Sequence, residues 1–143
     1  MSRAAVDTSV LIAAMQSWHT EHERCLAAVG RLLEVPPVIV PLHVLLETYS
    51  VLTRVPKPLR LSPKHALAML DQTLRGKAKV AGFDGDTAFD LLRGFRNRAI
   101  TGGAVYDALI AEVVFQAGAR SLLTLNRQHF ERVAPEGLEI VEP

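Results

Sequence analysis

Apolar positions fall along this chain in two alternating kinds of run. Short stretches at 3–7 (RAAVD), 38–41 (VIVP), 79–83 (KVAGF), 121–125 (SLLTL) and 138–141 (LEIV) have the length and character of buried strands. Between them lie longer segments whose apolar residues recur three and four apart, the period of a helix with one buried face. Helices are predicted over 9–16, over 19–34 (with Cys25, Leu26, Val29, Leu32 and Leu33 on one face) and over 42–54 (Leu42, Leu45, Leu46, Tyr49 and Leu52). Another is predicted over 62–74, where Ser62 is placed to cap the helix and Pro63 to open it. The segment 84–98 begins with acids and ends with basic residues, as a helix dipole favours, and 102–119 runs to a stop at Gly118. Strands alternating with helices predict an α/β fold: a three-layer α/β/α sandwich around a central, mostly parallel sheet of four to five strands. Binding sites in such folds lie beyond the carboxyl ends of the strands, where strand order reverses.

Composition narrows the class. With 143 residues, 49% apolar and 22% charged, the chain is sized for one domain spanning 1–143 and can fill a core. The longest apolar stretch, VPPVIVPLHVLL, is broken by Pro36, Pro37, Pro41 and His43, so no membrane span is predicted. Asp7 interrupts the apolar N-terminal run, and no signal peptide is expected. Cys25 is the only cysteine, which excludes an internal disulfide and a zinc knuckle and suits a reducing, cytoplasmic setting. Net charge is +1, yet residues 54–98 carry ten Lys and Arg against four acids, while both flanking segments are acidic. A phosphate-bearing partner needs such a local basic face, although an ordinary solvated helix surface explains the charge more simply. Aromatic residues make up 6% of the chain, too few for an extended base-stacking platform.

Three carboxylates stand where the pattern is otherwise apolar. Asp7 sits at the joint between the first strand and the first helix, so the topology aims it at a crevice rather than into the core. Asp107 shares a helical face with Ile110, Ala111 and Val114, and Glu47 interrupts VLLETYSVL. Singly, each has a structural explanation: a helix N-terminal acid for Asp107, a surface or salt-bridging residue near His43, Ser50 and Arg54 for Glu47. Together they suggest another. Converging carboxylates repel unless a cation joins them, and a set of oxygen ligands suits Mg²⁺ or Mn²⁺.

The stretches AAVDTSVLIA, LLETYSVLTR, GGAVYDALIAEVV and LLTLNRQHF, in this order, resemble those of PIN-domain ribonucleases, and most closely the VapC-like toxins of bacterial toxin–antitoxin pairs. The resemblance runs from Asp7 to about Phe130. It implies a metal-dependent endoribonuclease leaving a 5′-phosphate and a 3′-hydroxyl, and places the family's acids on Asp7, Glu47 and Asp107. It also implies a cognate antitoxin, with helices 20–33 and 42–54 offering surfaces for homodimerisation and antitoxin docking. Many relatives carry a fourth acid just before the Phe of the last motif; here that position is His129. The departure weakens the case for a second metal site.

On this reading Asp7, Asp107 and Glu47 hold Mg²⁺ partly through water, and Glu47 is placed to orient the attacking water. Thr8, Arg98, Asn126 and His129 are the candidates for contact with substrate, with Arg93 and Arg96 nearby in sequence; capping roles are the ordinary alternative for Thr8 and His129. A haloacid-dehalogenase-like phosphatase is excluded because position 9 is Ser, not Asp, and a phosphoreceiver domain because no Lys follows Lys79. The remaining alternative is a PIN-like module that binds RNA or protein without cutting, which His129 keeps open.

Overall fold

The computed structural model describes residues 3–143. Five strands, β1 (Arg3–Val6), β2 (Val38–Pro41), β3 (Ala78–Ala81), β4 (Ala119–Leu123) and β5 (Glu139–Val141), form one sheet in the order β3-β2-β1-β4-β5. Every pairing is parallel. The described helices are α1 (Thr8–Met15), α2 (His22–Leu33), α3 (Leu42–Arg54), α4 (Pro63–Leu74), α5 (Ala88–Asn97), α6 (Ala104–Gln116) and α7 (Arg127–Glu131). No helix among the described residues is long and apolar enough to cross a membrane.

A parallel sheet is covered on both faces at its centre, where all four residues of β2 are buried, while the edge strand β3 exposes Lys79 and Val80. The main core joins Ala5 of β1, Leu11 of α1, Ile39 of β2 and Leu122 of β4, each fully buried, to Val114 of α6. Helix α1 packs against α2 and α3, while α6 lies against β2 and β4. A smaller cluster of Phe95, Ala108 and Val133 fastens α5 to α6 and to the segment after α7.

Most element boundaries move by one to three residues from the sequence reading, and four of the differences are instructive. The fourth strand is Ala119–Leu123 rather than 121–125, because its partner is Arg3–Val6 of β1 and that register ends at Leu123. The third ends at Ala81 rather than 83. The segment 84–98 is not one helix. The Asp84 carboxylate accepts the Asp86 N–H at 3.4 Å, a one-turn 3₁₀ segment follows over Gly85–Thr87, and α5 starts at Ala88. The helix predicted over 102–119 is confined to Ala104–Gln116 and terminated where Gly118 adopts φ +100°, a left-handed conformation that glycine takes without strain.

This topology positions the site. From the central β1 the chain steps outward to β2 and β3, then returns to the other side of β1 as β4. Strand order thus reverses between β1 and β4, and a crevice opens beyond their carboxyl ends. Asp7 follows β1 directly and Thr124 follows β4 directly.

Candidate active site

Asp7 ends the first strand and caps the first helix in one residue. Its N–H donates to the Leu123 carbonyl at 3.1 Å, extending the sheet by one bond. Its extended backbone and side chain make it the N-cap of α1, where Oδ1 accepts the Val10 N–H at 3.4 Å. The same oxygen accepts a hydrogen bond from Ser9 Oγ at 2.6 Å, and Oδ2 accepts one from Thr124 Oγ1 at 2.7 Å. The residue is 3% exposed. Burial pushes its carboxyl above the usual aspartate range, against which the Ser9 and Thr124 hydroxyls and the first amides of α1 pull.

The two hydroxyls are themselves fixed. Ser9 Oγ accepts the Leu125 N–H at 3.0 Å, and Thr124 Oγ1 accepts the Asn126 N–H at 2.9 Å. The turn after β4 is therefore tied to the start of α1 through the Asp7 carboxylate. Neither Ser9 nor Thr124 was singled out as a site residue from the sequence. The only signal was their place beside the strand ends, which many capping hydroxyls share.

A cleft of about 230 Å³ opens here, lined among others by Asp7, Thr8, Glu47, Asp107 and Asn126. Glu47 reaches it from the second turn of α3 and Asp107 from the first turn of α6. The Asp107 carboxyl is raised by partial burial, lowered by His129 and raised again by Glu47, so the two acids and the histidine share one electrostatic neighbourhood. Three acids separated by 40 and 60 positions in the chain thus line one opening, each on a different helix or helix cap. They stand around it rather than closing into a cage: among the described residues no three His, Cys, Asp or Glu side chains are gathered closely enough to hold a metal ion directly.

The other predicted contacts divide. Thr8 and Asn126 line the cleft, and Thr8 Oγ1 is buried without a hydrogen-bond partner. An orphaned hydroxyl beside three carboxylates fits a site completed by a ligand or a hydrated cation, and hard oxygen donors suit Mg²⁺, which keeps several of its waters. His129 is exposed on α7 and acts on Asp107 by charge. Arg98 lies outside the lining of the acidic cleft. Its Nη2 donates to the Val133 carbonyl at 2.8 Å and Nη1 lies 3.6 Å from Glu112 Oε1, on the wall of a separate pocket between α5 and α6. Arg93 pairs with Asp90 and Arg96 donates to Asn97, so none of the three arginines lines the acidic cleft.

Known proteins share this family and fold. The PIN domain profile matches residues 4–135. Ribonuclease VapC40 of Mycobacterium tuberculosis is 36% identical over 118 residues, covering 82% of this chain and 83% of its own. Among solved structures, M. tuberculosis VapC20, described as a Sarcin-Ricin loop cleaving toxin, superposes with a TM-score of 0.70 at 19% identity, over 93% of this chain and 97% of its own. VapBC2 from Rickettsia felis, bound to a DNA fragment from its promoter, superposes with a TM-score of 0.65 at 18% identity over 98% of both chains.

Proposed function

The chain belongs to the PIN-domain family, and from that premise we propose that it is an endoribonuclease, the toxin of a toxin–antitoxin pair, dependent on Mg²⁺ or Mn²⁺. The observation that carries the reading is the meeting of Asp7, Glu47 and Asp107 on one cleft at the point where strand order reverses. Three carboxylates held around one opening are costly in a protein with no use for them, and a cation offsets that cost.

Asp7, Glu47 and Asp107 would hold the ion, in part through its waters. When bound, it supplies charge neutralisation at the scissile phosphate and water acidic enough to attack near neutral pH. Asp7 is the fixed member: four hydrogen-bonding groups set its orientation. Glu47, partly exposed on α3 with only His43 Nε2 near it, at 3.7 Å from Oε2, is the residue placed to accept a proton from the attacking water. The unpartnered Thr8 hydroxyl and the Asn126 side chain are placed to meet phosphate oxygens. His129, in place of a fourth acid, leaves the cleft with one fewer anion and favours a single ion.

An antitoxin partner and a homodimer complete the proposal; the antitoxin is supported by the likeness of this fold to VapBC2 of Rickettsia felis. The test is RNA cleavage by the purified chain with Mg²⁺ and with chelator, with end chemistry read on the products. Cutting that requires the ion, leaves a 5′-phosphate and disappears in Asp7→Asn supports the reading. RNA binding without metal-dependent cutting overturns it in favour of a binding module.

A further inference from the structure

The aromatic surface of this chain is small, but one piece of it lies next to residues that line the acidic cleft. Tyr106, the residue before Asp107, is 58% exposed. Its ring lies nearly parallel to that of His43, with centroids 5.5 Å apart and an angle of 14° between the planes. This is an offset stack across the two helices that supply the cleft's acids, α3 and α6. His43 Nε2 in turn lies 3.7 Å from Glu47 Oε2, one helical turn along α3. The Tyr106 ring is thus linked through His43 to Glu47, one of the acids of the cleft, and through the chain to Asp107, another.

An exposed tyrosine costs hydrophobic free energy, and a tyrosine held flat by a second ring has given up the rotamer freedom that would compensate. The remaining face of the ring is open. We infer that Tyr106, backed by His43, is the platform on which one RNA base flanking the scissile phosphate stacks, making this pair a determinant of where the enzyme cuts. The inference rests on the ribonuclease reading of the cleft and deepens it. Single-stranded RNA is held in such sites by bases turned out onto aromatic faces, and each stacked base contributes enough to set a register along the strand. A single platform next to the acids specifies one unpaired base at one side of the cut. It requires no second aromatic, which agrees with the scarcity of aromatic residues. Discrimination comes from whether the base is free to swing out, so unpaired loop nucleotides are selected over helical ones.

The test uses the full chain and total cellular RNA, whose cut positions are mapped by end sequencing. A short oligoribonucleotide spanning one cut is then made with an abasic ribose at each neighbouring position in turn. In the wild-type protein one abasic position raises KM by roughly 5- to 150-fold, the range of a lost base stack. In Tyr106→Leu the intact oligonucleotide shows that loss already, and the abasic substitution adds nothing further. Tyr106→Phe keeps the ring and keeps the base dependence. If Tyr106→Leu cuts the intact oligonucleotide with unchanged KM, or if the abasic penalty persists undiminished in that variant, the platform is wrong while the ribonuclease reading stands. If the wild-type protein cuts no RNA with either ion, the ribonuclease reading fails and takes the platform with it.

Discussion

Thr124 Oγ1 donates a 2.7 Å hydrogen bond to Asp7 Oδ2, joining residues 117 apart in the chain at the carboxyl ends of two adjacent parallel strands. Thr124 is fully buried and its hydroxyl also accepts the Asn126 N–H, so the oxygen has no freedom to turn away. Thr124→Val keeps the shape and removes the donor. A hydrogen bond to a charged group contributes about 1.5–3 kcal/mol. Cleavage should therefore fall roughly 10- to 150-fold, with Thr124→Ser restoring most of it. A structural role alone would lower the melting temperature without this recovery of kcat.

Asp7→Asn should abolish cleavage, by about a thousandfold or more, because a metal ligand supplies several kcal/mol of transition-state stabilisation. Its effect on stability should have the opposite sign. Burial raises the folded-state pKa of Asp7 above its unfolded value. The stability this group contributes is thus fully present below the unfolded pKa and is lost as pH rises through the folded one. In chelator at pH 7 the Asn variant should melt higher than the wild-type protein, and the gap should narrow toward about pH 4, near the ordinary aspartate value. Adding millimolar Mg²⁺ should raise the wild-type melting temperature and leave that of Asp7→Asn unmoved, since only a ligand of the folded state stabilises it. Thermal melts across pH, with and without the ion, read both effects.

What the sequence made legible and what it hid follow from one distinction. Asp7, Glu47 and Asp107 are charges set in apolar patterns, and a charge that breaks a pattern is visible from local periodicity. Ser9 and Thr124 break nothing: a hydroxyl beside a strand end is ordinary, and its meaning arises only when β1 and β4 pair. Helix α7 escaped for another reason. Five residues hold too little of a period to read, although Phe130 is 1% exposed and anchors the helix in the core. Arg98 shows the limit of sequence proximity: near Asp107 in the chain, it sits at the end of the preceding helix, where it faces Glu112. The alternation of strands and helices was legible throughout, since burial on both faces of the sheet leaves the plainest hydropathy signal.

The replacement of a fourth acid by His129 has a measurable consequence at Asp107. Burial raises the Asp107 carboxyl, and His129 holds part of that rise in check while Glu47 adds to it. His129→Ala removes the check, so the pKa of Asp107 should climb further. The acid limb of the pH–rate profile, where Asp107 must be ionised, should move to higher pH, with kcat on the plateau little changed. Because His129 is exposed, the shift should shrink as salt rises. An acid limb that stays in place at low ionic strength would show that His129 does not act on the cleft.

Arg98→Ala separates a clamp from a substrate contact. The guanidinium bridges the end of α5 to the Val133 carbonyl and faces Glu112, with the side chain about 39% exposed. Removing it leaves a carbonyl without its donor and a half-buried glutamate without its counter-charge. Partial exposure discounts the ion pair, so the expected loss of stability is about 1 kcal/mol, or roughly 2–4 °C in melting temperature. KM for RNA should change less than about twofold below that temperature, because Arg98 meets the elements around the cleft only at Glu112 of α6, beyond the turn that carries Asp107, and at the Val133 carbonyl after α7, neither of which lines it. A large rise in KM with unaltered melting would instead return Arg98 to the RNA-binding surface, and would require the α5–α6 junction to open when RNA binds.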